Sequence, residues 1–231
     1  MTGSTYQERR QIFERNFLLG KLSPSEIDAL LTYSRVERYP AGEEIFAKGS
    51  PGNSMMLVLR GSVRSSSISL AGKEIVLNII NAGDIVGEVA MLDGGERSTD
   101  AVAMEDCELL VLNRRDFMPM LESHPDICMI FIKLLCRRLR RTSEQVEDLL
   151  FRHLEGRIAK ALLDLSQRSG RRDVEGRALE LHLSQSALGT IVGSSRESVN
   201  KQLQTWQRAG WIDLAKGSIV ILDPAVLEEL V

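Results

Sequence analysis

The residues with the clearest chemical use lie in one short stretch near the middle of the chain, GEVAMLDGGERST, residues 87 to 99. Glu88 and Arg97 stand nine residues apart and bracket a Gly94-Gly95 turn, so both belong to one small concave element. An arginine fork beside a hydroxyl suits a phosphodiester, which carries one negative charge and has no proton to donate. A carboxylate can accept a hydrogen bond from a sugar hydroxyl, and a glycine lets backbone approach closely. On their own, a Glu and an Arg at this spacing more often form a surface ion pair.

A second concentration of polar residues lies near the C-terminus, in GTIVGSSRESVNKQLQTWQRAGWI, residues 189 to 212. Ser184 can cap a first helix that Gly193 ends, and Ser194-Ser195-Arg196-Glu197 carries a capping box for a second helix. Two short helices around a glycine turn are typical of a helix-turn-helix, whose second helix enters the major groove of DNA.

The second helix places its apolar and polar residues on opposite faces. Arg196 and Lys201 suit guanine edges there, and Glu197 suits the cytosine amino group. Ser195 and Ser198 could hold backbone phosphates and fix the register of the protein on DNA. A charged helix face on its own is more often simply solvated.

Local signals predict the elements that must position these residues. Residues 36 to 113 alternate short apolar runs, DIVGEVAML among them, with glycine-containing turns, which predicts a compact all-β region. Ser23-Pro24-Ser25-Glu26 predicts a capped helix before this region, and Asn113 a short helix to Leu121 after it. Near the C-terminus we expect a strand at Leu179 to Leu183 and a two-stranded wing over residues 211 to 222.

A long helix is predicted from Pro125 to about His153, followed by a break at Gly156, a second helical segment and a polar loop from Ser169 to Gly176. Its apolar stripe follows the alternating steps of four and three that mark a coiled-coil seam, namely Cys128, Ile132, Leu135, Leu139, Thr142, Val146 and Leu149. Because charged residues flank this narrow line, Arg138 among them, a partner helix is expected. The alternative is a helix that packs on its own domain.

Composition narrows the class of protein. The net charge of −3 argues against indiscriminate coating of nucleic acid but permits a small DNA-binding face. The three cysteines form no metal-binding pair, so we expect reduced, mostly buried thiols and no metal. The sequence shows neither a membrane-spanning stretch nor a signal peptide, and we expect a cytoplasmic protein with no membrane partner.

Taken together, these motifs resemble the cyclic-AMP receptor and fumarate-nitrate regulator (Crp/Fnr) family. Residues 83 to 99 look like its phosphate-binding cassette, RRLRRTSEQVEDLLF like its long helix, and residues 188 to 222 like its winged helix-turn-helix. The resemblance implies ribose contacts from Gly87 and Glu88, phosphate contacts from Arg97 and Ser98, Val89 in the same cassette, and adenine contacts from Thr142 and Ser143, one from each subunit. It implies DNA contacts from Ser184, Ser195, Arg196, Glu197, Ser198 and Lys201, where Lys201 replaces an arginine that many members carry.

We therefore expect an α+β protein with a cyclic-nucleotide-binding β-roll and flanking helices (1–124), a long dimerisation helix (125–153) and a winged helix-turn-helix (154–231). The resemblance implies a cyclic-AMP-dependent transcription regulator that acts as a homodimer on palindromic double-stranded DNA operators, with RNA polymerase as a further partner. No enzyme motif is present, and we expect no catalytic activity. Two alternatives stay open. One is another effector, such as cyclic GMP, a 2′,3′-cyclic isomer or an oxoacid; the other is a nucleotide-binding regulatory subunit that does not use its winged domain.

Overall fold

The computed structural model describes residues 5–15, 20, 22–70, 72, 74–169, 171–172, 179–181, 183–215 and 218–231. The chain forms two compact units, one of residues 1–67 and 77–140 and the other of residues 68–76 and 141–231. The predicted long helix contributes to both units. The three segments expected from the sequence, 1–124, 125–153 and 154–231, stay a prediction.

Two helices open the first unit, α1 (Tyr6–Arg15) and α2 (Pro24–Tyr33). The capping box predicted for α2 is present: Glu26 donates its backbone N–H to Ser23 Oγ at 3.4 Å, and Ser23 donates its own to Glu26 Oε2 at 2.7 Å. These two bonds satisfy N–H groups that have no partner within the helix. The predicted start of α2 is confirmed.

Two antiparallel sheets make up the β-roll. Their orders are β1-β8-β3-β6 and β2-β7-β4-β5, with β1 (Arg35–Tyr39), β2 (Glu44–Phe46), β3 (Ser54–Arg60), β4 (Ser62–Ile68), β5 (Glu74–Asn81), β6 (Ile85–Val86), β7 (Asp100–Ala103) and β8 (Cys107–Asn113). Met55 and Leu57 of β3 pack in the cluster that includes α1 and α2, whereas Met56 and Val58 pack in a second cluster with residues of β7 and β8. The apolar run MMLVL is therefore buried on both faces of its strand.

The all-β prediction for residues 36 to 113 is wrong in one place. The run DIVGEVAML forms only the two-residue strand β6 and then helix α3 (Glu88–Asp93). Gly87 between them has φ 80°, a left-handed conformation that turns the chain out of its extended path. A short apolar run does not distinguish strand from helix by periodicity, which is why the sequence did not reveal α3.

Two helices follow the roll, α4 (Arg114–Ser123) and α5 (Pro125–Phe151). Asn113 occupies the predicted N-cap position of α4, but its side chain makes no capping hydrogen bond. The long predicted helix is confirmed, and along it Cys128 packs against the core of the first unit, whereas Leu139 is 68% exposed. The expectation of mostly buried thiols is wrong for Cys136, which is exposed on α5.

The second unit forms a winged helix-turn-helix. Its elements are α6 (Leu154–Ser169), β9 (Arg171–Arg172), β10 (Leu179–Leu181), α7 (Gln185–Val192), α8 (Arg196–Arg208), β11 (Ile212–Ala215), β12 (Ser218–Ile221) and α9 (Pro224–Glu228), with the sheet order β11-β12-β10-β9. The predicted wing is present, since Ala215 pairs with Ser218, and its tip, Lys216-Gly217, lies outside the described residues. In the predicted polar loop, residues 171–172 form β9, and residues 173–178 lie outside the described residues.

Gly156 does not break the helical pattern as predicted, because it lies in the first turn of α6. A Cβ atom at this position would come within 2.8 Å of the Leu230 carbonyl oxygen. The glycine therefore permits a close backbone approach inside the unit rather than ending a helix.

Candidate ligand site and DNA-binding helix

The cassette brings Gly87, Glu88 and Arg97 together at the start of α3. Gly87 is the N-cap of this helix, and a Cβ atom there would collide with Arg97 Nη1 and lie 3.4 Å from the Phe46 ring. Any side chain at this position would displace the guanidinium. Gly87 therefore serves the site both by its left-handed φ and by its lack of a side chain.

Arg97 is held inside the roll, where it is only 4% exposed. Its Nη1 donates to the carbonyl oxygens of Ser54 at 2.7 Å and of Gly87 at 2.8 Å, and its Nη2 donates to Ser54 Oγ at 3.0 Å. The guanidinium carbon lies 4.2 Å from the centroid of the Phe46 ring, a cation–π contact. Burial lowers the pKa of the guanidinium and the Glu88 carboxylate opposes this, so Arg97 stays protonated.

Glu88 is fully buried, with 0% of its surface exposed. Its Oε1 accepts a hydrogen bond from Nη1 of Arg138 on α5, and the guanidinium of Arg138 also donates to the Ile85 carbonyl oxygen. Burial raises the pKa of the Glu88 carboxyl, while the charges of Arg138 and Arg97 oppose the shift. Arg138, which the sequence placed on the charged flank of the seam, is instead the ion-pair partner of Glu88.

Two buried atoms of this site have no hydrogen-bond partner within the described part of the chain: Glu88 Oε2, an acceptor, and Arg97 Nε, a donor. Leaving such groups unsatisfied costs about 1 to 3 kcal/mol each. A cyclic nucleotide carries both complements, a ribose hydroxyl that donates and phosphate oxygens that accept. The residues present therefore fit the ligand that the sequence predicted.

The remaining predicted ligand residues are Val89, Ser98, Thr142 and Ser143. Val89 is half-buried in the first turn of α3, and Ser98 is exposed. Thr142 and Ser143 are exposed on the part of α5 that belongs to the second unit. Their adenine contacts stay a prediction.

The recognition helix α8 begins at Arg196, and Ser195 is its N-cap. Ser195 Oγ accepts from the Ser198 backbone N–H at 3.1 Å and lies 2.9 Å from the Ser198 hydroxyl. The capping box predicted for Ser194 and Glu197 is wrong, because the third helical position, which would hold its carboxylate, is Ser198. Ser184 caps α7 as predicted, since its Oγ accepts from the Ala187 backbone N–H at 3.1 Å.

Arg196, Glu197 and Lys201 are all exposed on α8, as the periodicity predicted. Val199 and Leu203 on the opposite face are buried in the core of the unit, together with Trp206. The buried face fixes the position of α8, and the exposed face presents two charged donors and one acceptor that can reach base edges. The second unit thus contains a helix-turn-helix whose exposed face suits contact with DNA. Local signals in the sequence were enough to predict its two helices.

Comparison with known proteins follows the same division of the chain. A model of the cyclic nucleotide-binding domain matches residues 36–124, and a model of the Crp-like helix-turn-helix domain matches residues 156–230. A CRP-like cAMP-activated global transcriptional regulator of Mycobacterium tuberculosis is 34% identical over 92% of this chain and 95% of its own length. The chain belongs to the Crp/Fnr family.

Two proteins from Thermus thermophilus add to this assignment. The cyclic AMP receptor protein of that organism is 34% identical over 90% of this chain and 94% of its own length. The solved structure of a CRP/FNR-family transcriptional regulator superposes with a TM-score of 0.72 at 30% identity, covering 85% of this chain and 97% of the other. As a Crp/Fnr protein, the chain is a cyclic-nucleotide-binding transcription regulator with a DNA-binding helix-turn-helix.

The sequence analysis did not predict three residues of this Crp/Fnr site: Phe46, Ser54 and Arg138. Each contacts Arg97 or Glu88 from 43 to 51 positions away in the chain, a range at which no spacing rule applies. One signal was available for Arg138, since a fully buried carboxylate requires a cation or a donor. Thr99, in the predicted stretch, pairs its hydroxyl with that of Ser65 at 2.8 Å.

The described residues of this Crp/Fnr regulator contain no group of three or more His, Cys, Asp or Glu side chains placed to hold a metal ion. Among the same residues, no helix combines the length and apolar character needed to cross a bilayer.

Proposed function

We propose that the effector of this regulator is 3′,5′-cyclic AMP and that the protein acts as a homodimer on palindromic DNA operators. The observation that carries the proposal is the buried pair of unsatisfied atoms, Glu88 Oε2 and Arg97 Nε. The names of the relatives from Mycobacterium tuberculosis and Thermus thermophilus support cyclic AMP among the cyclic nucleotides.

Each polar residue of the cassette has one task in this proposal. Arg97 neutralises the phosphate charge, because its buried guanidinium is one of the strongest donors available to an oxyanion. Glu88 accepts from the ribose 2′-hydroxyl with the oxygen that Arg138 does not use. Thr142 and Ser143 on α5 hold the adenine ring.

The Glu88–Arg138 ion pair gives the ligand a route to the long helix. A ribose hydroxyl that donates to Glu88 Oε2 adds a partner to the carboxylate that pairs with Arg138, which lies on α5. If this alters the equilibrium between conformations with high and low DNA affinity, nucleotide and DNA strengthen each other's binding by the same factor.

The apolar stripe of α5 supports the homodimer. Ile132, Leu139 and Val146 are 49%, 68% and 49% exposed in the single chain. A stripe of this period is typical of a coiled-coil seam, and a second copy of the chain would bury it. We further propose that the protein contacts RNA polymerase, works in the cytoplasm and catalyses no reaction, in keeping with its place among transcription regulators.

In the DNA complex, Arg196 and Glu197 discriminate between base pairs, and Lys201 contributes more loosely. An arginine fork pairs bidentately with a guanine edge, whereas an ammonium is a single flexible donor. Ser184, Ser195 and Ser198 are proposed to contact backbone phosphates.

The test is isothermal calorimetry on the purified full-length protein with 3′,5′-cyclic AMP, 3′,5′-cyclic GMP and 2′,3′-cyclic AMP. We expect the tightest binding for 3′,5′-cyclic AMP. Tighter binding of another nucleotide would replace cyclic AMP as the effector, and no binding of any of them would favour the alternative of an effector such as an oxoacid. An operator-binding assay with selected DNA tests the other alternative. Sequence-specific DNA binding would rule out a purely nucleotide-binding subunit, and no DNA binding would support it.

A further inference from the structure

A cavity of about 510 Å3 in the first unit lies outside the cassette. It is lined by Arg35, Asn53, Asn113, Arg114 and Arg115. These residues meet because β1, β8 and β3 are neighbours in one sheet, and Ser54 is in register with Asn113. Arg35 of β1 and the consecutive pair Arg114 and Arg115 at the start of α4 therefore face one space.

The positive charge of this cavity is only partly balanced. Arg35 Nε donates to Glu37 Oε1 at 2.7 Å, and Arg115 lies 3.5 Å from Asp116. Arg114 donates its Nε at 2.8 Å to a neutral acceptor, the carbonyl oxygen of Met91, and within the described residues it has no carboxylate partner. The cavity thus holds one guanidinium more than the carboxylates paired with it.

The chemistry of the lining defines the ligand. Guanidinium groups and the amides of Asn53 and Asn113 are donors suited to anions with several oxygens. None of the described lining residues is aromatic or aliphatic, so among them only the guanidinium planes could stack on a base. We propose that it binds a pyrophosphate-like oxyanion, either free or as the diphosphate end of a nucleotide.

This cavity is joined to the cassette on two sides. Arg114 holds the carbonyl oxygen of Met91, a residue of the helix that begins with Glu88. The Arg114 backbone N–H donates at 2.9 Å to the carbonyl of Asn53, which precedes Ser54, the residue that holds Arg97. An anion that fixes the Arg114 side chain therefore also fixes the two segments that position Glu88 and Arg97.

The two sites are thus coupled, and this part of the inference rests on the proposed function. Ordering the cassette in advance reduces what nucleotide binding must order. The anion raises the affinity for cyclic AMP by about fivefold, at the lower end of typical couplings, and cyclic AMP raises the affinity for the anion by the same factor.

The experiment is calorimetry of the full-length protein with pyrophosphate at constant ionic strength, followed by ADP and AMP. The double variant Arg35→Gln/Arg115→Gln is expected to lose at least about tenfold in pyrophosphate affinity, since two charge-assisted donors are removed. The control is Arg60→Gln, at an exposed arginine of β3 that does not line the cavity, and it should bind as the wild type does. Equal binding by wild type and double variant, or no binding of pyrophosphate, overturns the proposal.

Two further measurements separate this site from the cassette and from other ligands. Arg97→Lys, which weakens the side chain that binds phosphate in the cassette, should retain pyrophosphate binding. Loss of pyrophosphate binding in this variant would place the anion in the cassette and overturn the proposal. Stronger binding of ADP than of AMP supports a diphosphate end, whereas binding of an acidic peptide with none of pyrophosphate assigns the cavity to a protein partner instead. If pyrophosphate binds but cyclic AMP does not, the anion site stands and only the proposed effector fails.

Discussion

The cassette and the recognition helix use the same pair of residue types in opposite surroundings. Arg97 and Glu88 are buried at 4% and 0% exposure and are held by other protein groups, whereas Arg196 and Glu197 are exposed on the surface of α8. A buried charge must be satisfied by the protein before any ligand arrives, whereas an exposed charge is satisfied by water. The cassette residues therefore bear on both folding and ligand binding, and the helix residues bear on DNA binding alone.

The largest effect is expected for Arg97→Ala. The variant should lose measurable cyclic-nucleotide binding by calorimetry, because the phosphate loses its buried charged donor. It should still fold, but its free energy of unfolding should be lower by about 1 to 3 kcal/mol, since the Ser54 and Gly87 carbonyl oxygens lose their donor. The exposed Arg60→Ala serves as the matched control and should change neither quantity. Unchanged nucleotide affinity in Arg97→Ala would contradict the assignment of the cassette.

Arg196→Ala is expected to show the opposite combination. Its free energy of unfolding should match the wild type, while DNA binding weakens by about 1 to 3 kcal/mol at one base position. Lys201→Ala should cost less and act more uniformly across sequences, because an ammonium reads a base pair loosely. Binding-site selection at fixed salt measures both. If Lys201→Ala relaxes one base position as strongly as Arg196→Ala, the ranking of the two residues is wrong.

How far the sequence predicted each region follows from the same contrast. The starts of α2, α7 and the long helix α5 carry local signals such as serine caps or an N-terminal proline, and these were predicted correctly. Helix α8 was also predicted, although its cap partner is Ser198 rather than Glu197. Local signals suffice there because the functional side chains point outwards and need no distant partner.

The cassette was predicted by its motif but not by its contacts. Phe46, Ser54 and Arg138 come from other strands and from α5, and only the folded roll brings them to Glu88 and Arg97. Helix α3 was missed because a single left-handed glycine, Gly87, converts an apolar run from strand to helix. Long-range partners and special backbone positions are the part that spacing does not predict.

Glu88→Gln sharpens the comparison on the acidic side of the pair. The amide keeps the shape of the carboxyl but loses its charge, so we expect ribonucleotide affinity to fall by about 1 to 2 kcal/mol and 2′-deoxy nucleotide affinity to fall less. Because burial raises the pKa of the Glu88 carboxyl, that group contributes stability at low pH which is lost as pH rises through its raised value. Unfolding at several pH values should show this loss in the wild type and not in Glu88→Gln. If Glu88→Gln loses equal affinity for the ribonucleotide and for the 2′-deoxy nucleotide, Glu88 has another role.

The smallest effect is expected for Phe46, which lies beneath the Arg97 guanidinium. Phe46→Leu should weaken nucleotide binding by about 0.5 to 1 kcal/mol, the usual size of a cation–π contact, and Phe46→Tyr should restore it. The loss caused by Phe46→Leu should differ between the wild-type and the Arg97→Lys backgrounds if the ring acts through the arginine. Titration with cyclic AMP of the wild type, Phe46→Leu, Arg97→Lys and the double variant measures this double-mutant cycle. An equal loss in both backgrounds would mean that Phe46 contacts the nucleotide or the core instead.

The most direct measurement is fluorescence anisotropy of a selected palindromic DNA titrated with the full-length protein at fixed salt, with and without cyclic AMP. If the nucleotide bound by Arg97 and Glu88 controls the DNA affinity of α8, cyclic AMP should strengthen DNA binding by the wild type by about tenfold and leave Arg97→Ala unchanged. Equal DNA affinity with and without cyclic AMP, or an Arg97→Ala variant that responds as the wild type does, would contradict this account.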